Sequence, residues 1–184
     1  MNQQIIDKVR AIVEKRYRSN PFDYDHHIKL VVEYAKELAK RLKADEEIVE
    51  LGAWLHDISR VGALDVNDDH HIRGAAESEK LLRELGYSEE RIKQVVHCVI
   101  SHRGRMKLKR ESLEAEIVAS ADAMSHFFSI EGLFYVALII KKLDIAEAKI
   151  WVKEKLERSW NKLLPEAKEI IRPKYEAAKI LLNN

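Results

Sequence analysis

The stretch Leu51-Gly52-Ala53-Trp54-Leu55-His56-Asp57-Ile58 sets an adjacent imidazole and carboxylate at the end of an apolar run. Upstream, Asp45 is a typical N-cap, and the apolar residues that follow it recur at helical spacing. The pattern predicts a helix whose end delivers His56 and Asp57. A carboxylate in such apolar surroundings is costly unless a positive charge pairs with it, and a metal ion would supply that charge.

Two further helical segments carry matching side chains. His27 lies in Asp25-His26-His27-Ile28, and Asp122 lies in the small-residue run Ala121-Asp122-Ala123. Two imidazoles and two carboxylates form a nitrogen and oxygen donor set that suits Mn, Mg, Co, Ni or ferrous ions rather than a thiolate site. We therefore expect one divalent ion at His27, His56, Asp57 and Asp122, and metal-assisted hydrolysis as the chemistry.

Composition indicates an all-α protein. The chain has 184 residues, 46% of them hydrophobic, which is enough for one domain spanning residues 1–184 with a sizeable core. Only 6 Gly and 3 Pro leave few turns for an all-β fold. Helices are expected over residues 5–17, from Asp23 or Asp25 to 42, from Asp45, over 70–85 and 88–102, from Ser112 and from Asp144. Pro173 is expected to interrupt the last helix.

These residues resemble the HD superfamily of metal-dependent phosphohydrolases, in which an early His, a His-Asp pair and a late Asp lie on successive helices. The resemblance covers about residues 21–128. It implies a helical bundle of the HD-domain type. Beyond it, the apolar residues of 129–184 recur at helical spacing and predict a helical extension that packs on the core. The family's spacing to Val31 favours His27 over His26 as the first ligand.

The resemblance also implies residues around the metal. His71 and His102 would contact substrate phosphate or hold a second ion, whereas His70 is expected to point elsewhere. A catalytic set would comprise Asp57, Arg60 and Asp65, with Asp65, ahead of Asp68 and Asp69 of the same loop, protonating the leaving group. The expected substrate-binding residues are Lys29, Arg60, His71, His102 and Arg103. Arg60 could instead be a surface arginine, Asp65 part of a turn, and His126 partly exposed one turn after Asp122.

The implied activity is hydrolysis of a nucleotide or another small phosphate ester, with a 5'-nucleotidase-like phosphomonoesterase favoured because the chain is compact. Hydrolysis of nucleoside triphosphates or pyrophosphates is the first alternative. A non-catalytic module that binds metal and nucleotide is the second. The Gly-Tyr-Pro extension of cyclic dinucleotide phosphodiesterases is not evident, because Gly86-Tyr87 is followed by Ser88.

Charge and apolar patterning limit which partners and which cellular compartment we expect. The formal net charge of +1 gives no global attraction to a DNA or RNA polymer. No uninterrupted apolar run reaches the length of a membrane span, and the N-terminus lacks a secretory signal. With the single Cys98, these features predict a cytoplasmic location. Apolar surface on the last helices could form a homodimer seam.

Overall fold

A computed structural model describes residues 2–60, 69–103 and 108–183, and no strand occurs within these ranges. The all-α prediction is confirmed. The α-helices are α1 (Gln3–Arg16), α2 (Pro21–Asp23), α3 (Lys29–Leu42), α4 (Glu46–Leu55), α5 (His70–Glu84), α6 (Glu89–Ser101), α7 (Leu113–Phe128), α8 (Ile130–Tyr135), α9 (Ile145–Lys162) and α10 (Pro165–Asn183). The predicted N-cap Asp45 is observed, since its side chain accepts hydrogen bonds from the backbone N–H groups of Glu47 and Ile48.

Helices α4 and α7 form the centre of the bundle. Helix α7 packs against α3, α4, α6, α9 and α10, and α4 packs against α1, α3, α6 and α7. Small residues allow this close packing, because Gly52 faces Cys98 and Val118 with no side chain between them. As a result, the C-terminal end of α4 lies in the interior, and His56 and Asp57 are buried there.

The chain enters α3 through a distorted helical segment. Asn20 accepts a hydrogen bond from the backbone N–H of Asp23 and Pro21 occupies the first helical position, so the predicted caps Asp23 and Asp25 are wrong. Residues Tyr24–Ile28 form a π-helical turn, a feature that often marks functional sites. His27 lies in that turn rather than in a regular first turn of α3.

Helices α9 and α10 pack against the central helix α7. Helix α9 begins with a complete capping box between Asp144 and Glu147, as its sequence indicates. Helix α10 runs through Pro173, so the predicted interruption is wrong. Pro173 is exposed, and the buried residues Ile171 and Ala178 on either side of it hold the helix against the core.

Apolar side chains remain exposed after α7, among them Tyr135, Ile139 and Ile145. Within the described ranges, no single helix has both the length and the apolar composition of a membrane span. One pair bent by 84°, Leu113–Phe128 with Ile130–Ile140, meets that test only when its two parts are joined. The homodimer seam stays a prediction.

Gly52→Ala should destabilise the protein by about 1–3 kcal/mol, because the added methyl group has no room where α4 packs closely against α6 and α7. A Cβ atom there would lie 2.9 Å from Cys98 Cβ and 3.2 Å from Val118 Cγ2. Urea unfolding followed by circular dichroism measures the change. Gly74→Ala is the matched control: its Cβ would lie 3.5 Å from the nearest atom, and alanine favours the helix. Equal stability of the two variants would contradict this packing.

Candidate metal centre

The four predicted ligands meet in one place. His27 Nε2 lies 3.1 Å from His56 Nε2, 3.4 Å from Asp57 Oδ2 and 3.7 Å from Asp122 Oδ1. His56 Nε2 lies 3.7 Å from Asp57 Oδ2. The π-helical turn, the end of α4 and the middle of α7 thus bring their polar side chains to a shared point.

Hydrogen bonds fix which nitrogen of each imidazole carries the proton. His56 Nδ1 lies 2.7 Å from the carbonyl oxygen of Ala53, so it donates there. Ser125 Oγ donates to the carbonyl of Asp122 at 2.8 Å, and must therefore accept from His27 Nδ1 at 2.9 Å. In both rings Nε2 is left with a free lone pair.

Two such lone pairs 3.1 Å apart repel each other unless a cation lies between them. Donor atoms that coordinate one octahedral ion at about 2.1 Å and at a right angle are about 3 Å apart. Two neutral imidazoles and two carboxylates also match the ligand preferences of borderline divalent ions. The residues present therefore fit a divalent metal ion.

Asp57 connects this group to a second one. Its Oδ1 lies 3.4 Å from His70 Nε2 and 3.6 Å from His102 Nε2. That oxygen is buried, and among the residues that the structure describes it has no hydrogen-bond partner. His102 Nδ1 donates to the carbonyl of Val99 at 2.6 Å, which again leaves a lone pair on Nε2. Asp57, His70 and His102 form a candidate site for a second ion.

This second group corrects one prediction. His70, rather than His71, joins His102 beside Asp57. The physical reason is helix geometry, because adjacent residues of an α-helix point about 100° apart. His71 is buried next to the group on a different face of α5.

Two side chains that the sequence did not single out as ligands border Asp122. Lys162 Nζ lies 2.5 Å from Asp122 Oδ2. His126 stacks on His27 with ring centroids 6.0 Å apart, and its Nδ1 lies 3.0 Å from Ser159 Oγ. His126, with Asp122 and His27, forms a third group able to hold an ion. Lys162 lies after the segment that resembles the family, and nothing in the sequence distinguishes it from the other lysines.

Burial and neighbouring charges set the protonation states of the side chains in the centre. Burial alone would raise the pKa of Asp57, but His56 and Arg60 hold it well below its usual value. Burial would likewise raise the pKa of Asp122, and Lys162 holds it well below. Burial lowers the pKa of His56, and it lowers the pKa of His102 to about 3. Near neutral pH the carboxylates are ionised and these imidazoles neutral, which is the form that metal ions bind.

The remaining predicted residues have different positions. Arg60 donates to Asp57 Oδ2 at 3.0 Å while its side chain is 42% exposed. Lys29 pairs with Asp25 and is 53% exposed, so the structure does not bring it into the centre. Arg103 directly follows His102 and is half-buried. Asp65 lies outside the described residues.

Tyr17 contacts the backbone of the centre, and no sequence pattern indicated this role. Its hydroxyl donates to the carbonyl oxygen of Asp57 at 3.1 Å. Burial raises the pKa of Tyr17, and the charge of Asp57 raises it further, so the hydroxyl keeps its proton. The Asp57 backbone is thereby tied to the end of α1.

Comparisons with known proteins agree with this geometry. The model of the HD domain family matches residues 24–126, which contain every candidate metal ligand described above. Over 99 residues the chain is 30% identical to ribonuclease Y of Acidothermus cellulolyticus. That match covers 54% of this chain but only 18% of the relative.

Solved structures share the fold. A predicted HD superfamily hydrolase from an uncultured Thermotogales bacterium is 24% identical, with a TM-score of 0.58 over 82% of this chain and 84% of the other. Bacillus subtilis YpgQ is 21% identical, with a TM-score of 0.76 over 98% of this chain and 93% of the other. YpgQ in complex with ADP is 23% identical, with a TM-score of 0.69 over 93% and 90% of the two chains.

Ser125→Ala should weaken Mn²⁺ binding by about 10- to 100-fold, because it removes the hydrogen bond that orients His27 and fixes its tautomer. Titration calorimetry on metal-free protein measures the affinity. Ser129→Ala, which removes a buried hydroxyl beyond the end of α7, is the control and should bind Mn²⁺ as the wild type does. Equal affinities in the two variants would contradict the tautomer assignment.

The metal-free protein should lose stability as the pH falls below about 6.5. Below that pH, His102 takes up a proton in the unfolded chain, whereas buried His102 in the folded protein stays neutral. His102 carries a pKa of about 3 in the folded state, so its contribution is complete above 6.5 and declines on acidification. His102→Gln should reduce the slope of unfolding free energy between pH 6 and 4 by about 1.4 kcal/mol per pH unit. Urea unfolding at several pH values measures the slope, and identical slopes would contradict a neutral, buried His102.

Proposed function

The chain belongs to the HD domain family, and from that premise we propose that it is a divalent-metal-dependent phosphohydrolase that acts on small nucleotides. The observation that carries this proposal is the convergence of imidazole lone pairs and ionised carboxylates on one point, 3.1–3.7 Å from His27 Nε2. His27, His56, Asp57 and Asp122 would hold a divalent ion there, and the ion would supply polarisation of a water molecule and neutralisation of phosphoryl oxygens.

Cationic side chains around the centre favour an anionic substrate. Arg60 borders Asp57, and Lys162 borders Asp122. Lys155 is close enough to Asp122, Lys162 and Arg60 for their charges to affect its own. Such a surplus of positive charge beside a metal-binding group attracts phosphate esters and stabilises the charge that develops during their hydrolysis.

The protein's own groups have distinct tasks in this proposal. Asp57 holds both groups of imidazoles, because one oxygen faces His27 and His56 and the other faces His70 and His102. Arg60 uses one N–H group on Asp57 and has further donors on its exposed side for a phosphoryl oxygen. Protonation of the leaving group by Asp65 stays a prediction.

A nucleotide is the substrate class we favour. The solved YpgQ complex holds ADP, and that neighbour shares the fold of this chain. A 5'-nucleoside monophosphate stays our first candidate. A substrate with a phosphoanhydride bond is the second, because ADP itself contains such a bond. We do not carry over the activity of ribonuclease Y, because the match spans 18% of that protein.

Metal-free protein reloaded with Mn²⁺, Co²⁺ or Mg²⁺ should hydrolyse members of a panel of nucleoside mono-, di- and triphosphates. Phosphate release from monophosphates supports the nucleotidase, and pyrophosphate release from triphosphates supports the second candidate. Ion chromatography of the products separates the two. Absence of any product with every metal would favour a non-catalytic module that binds metal and nucleotide.

Asp57→Ala should abolish metal retention and turnover together, because it removes the carboxylate common to both groups of ligands. Elemental analysis and the same product assay measure the two losses. Asp25→Ala is the matched control, since this exposed aspartate lies two residues from His27 and pairs with Lys29. Full activity in Asp57→Ala would refute the site.

A further inference from the structure

We propose that Lys155 of α9 binds a phosphoryl oxygen of the substrate, and so adds a substrate-binding residue from outside the family-matched residues 24–126. This inference rests on the proposed phosphohydrolase function and adds to it a named contact. The ligand is a phosphate group, whichever nucleotide carries it.

The register of α9 places Lys155 beside the metal-binding group. Residues 155, 159 and 162 are four and three positions apart, so they share one face of the helix. Ser159 on that face bonds His126 at 3.0 Å, and Lys162 pairs with Asp122 at 2.5 Å. The same face therefore presents Lys155 to the centre, one turn before Ser159.

The charge of Lys155 is left without a direct partner in the part of the chain that the structure describes. Asp122 is paired with Lys162, and Asp57 is paired with Arg60. Lys155 is half-buried and takes part in no hydrogen bond or ion pair with a described residue. Lys162, Arg60 and Arg158 instead oppose its charge from nearby.

Burial lowers the pKa of Lys155 to about 8, and attraction by Asp122 offsets only part of that effect. The ammonium group is therefore still protonated at pH 7. A half-buried ammonium without an anionic partner costs the folded protein free energy, and a bound anion would remove that cost. A phosphate oxygen is a suitable ligand, because lysine binds phosphate as a point charge with three donors.

A purely structural role makes the opposite prediction about stability. If Lys155 only balanced the charge of Asp122, then its removal would leave an excess of buried negative charge and weaken the fold. If it serves the substrate, then its removal relieves an uncompensated charge and the fold is as stable as before, or more so. Thermal stability thus separates the two roles.

The test compares metal-loaded Lys155→Met with the wild type, with Lys155→Arg and with Lys153→Met. Methionine keeps the length of the side chain and removes its charge, and Lys153 is an exposed lysine on the same helix. Calorimetry gives the dissociation constants of inorganic phosphate and pyrophosphate, elemental analysis gives the metal content, and thermal unfolding gives Tm.

Lys155→Met should bind phosphate and pyrophosphate about 10- to 100-fold more weakly, the usual size of a lost charge-assisted hydrogen bond. For any substrate that the wild type hydrolyses, KM should rise by a similar factor. Metal content should be unchanged and Tm should not fall. Lys155→Arg should restore most of the affinity, and Lys153→Met should match the wild type.

Unchanged phosphate affinity in folded Lys155→Met would overturn the proposal, and so would a lower Tm or lost metal. The binding measurements need no turnover. A wild type that hydrolyses nothing, but binds phosphate through Lys155, would therefore refute the proposed activity while supporting the phosphate contact.

Discussion

The burial of the Asp57 carboxylate is the constraint on which the rest of the structure depends. The side chain is 3% exposed, and a charge in that position is tolerated only when opposite charges and hydrogen-bond donors surround it. Its neighbours come from the π-helical turn, the end of α4, the start of α5 and the end of α6. Four separate segments must therefore converge before Asp57 can be buried. The same convergence creates the two groups of ligands.

Much of this centre could be predicted from the sequence, since His27, His56, Asp57 and Asp122 stand out as polar residues inside apolar helices. The rest depends on helix rotation, which the sequence specifies only loosely. To choose between adjacent His70 and His71, one must know the phase of α5, that is, its rotation about its own axis, to within about 100°. That phase is set by how α5 packs on α6 and on residues Ile58–Arg60, and both are tertiary contacts.

The fold was predicted well where local signals and packing agree, as for the capping box at Asp144. It was predicted poorly where packing overrides a local rule. Proline disfavours a helix interior, yet α10 continues through Pro173 because buried residues on both sides anchor it. The role of Lys162 had no local signal at all, since its pairing with Asp122 joins residues 40 positions apart.

The candidate metal ligands and the lysines beside them come from different segments of the chain. The ligand groups lie within residues 24–126, whereas the ammonium groups of Lys155 and Lys162 come from α9. Lys162 neutralises Asp122 and so bears on metal binding, while Lys155 has no carboxylate of its own. On the proposed phosphate contact, a substitution at Lys155 would change how a phosphate is held without changing the donor atoms of the candidate metal ligands. Under the proposed function, α9 therefore contributes to both tasks, since Lys162 pairs with a candidate metal ligand and Lys155 is proposed to hold the phosphate.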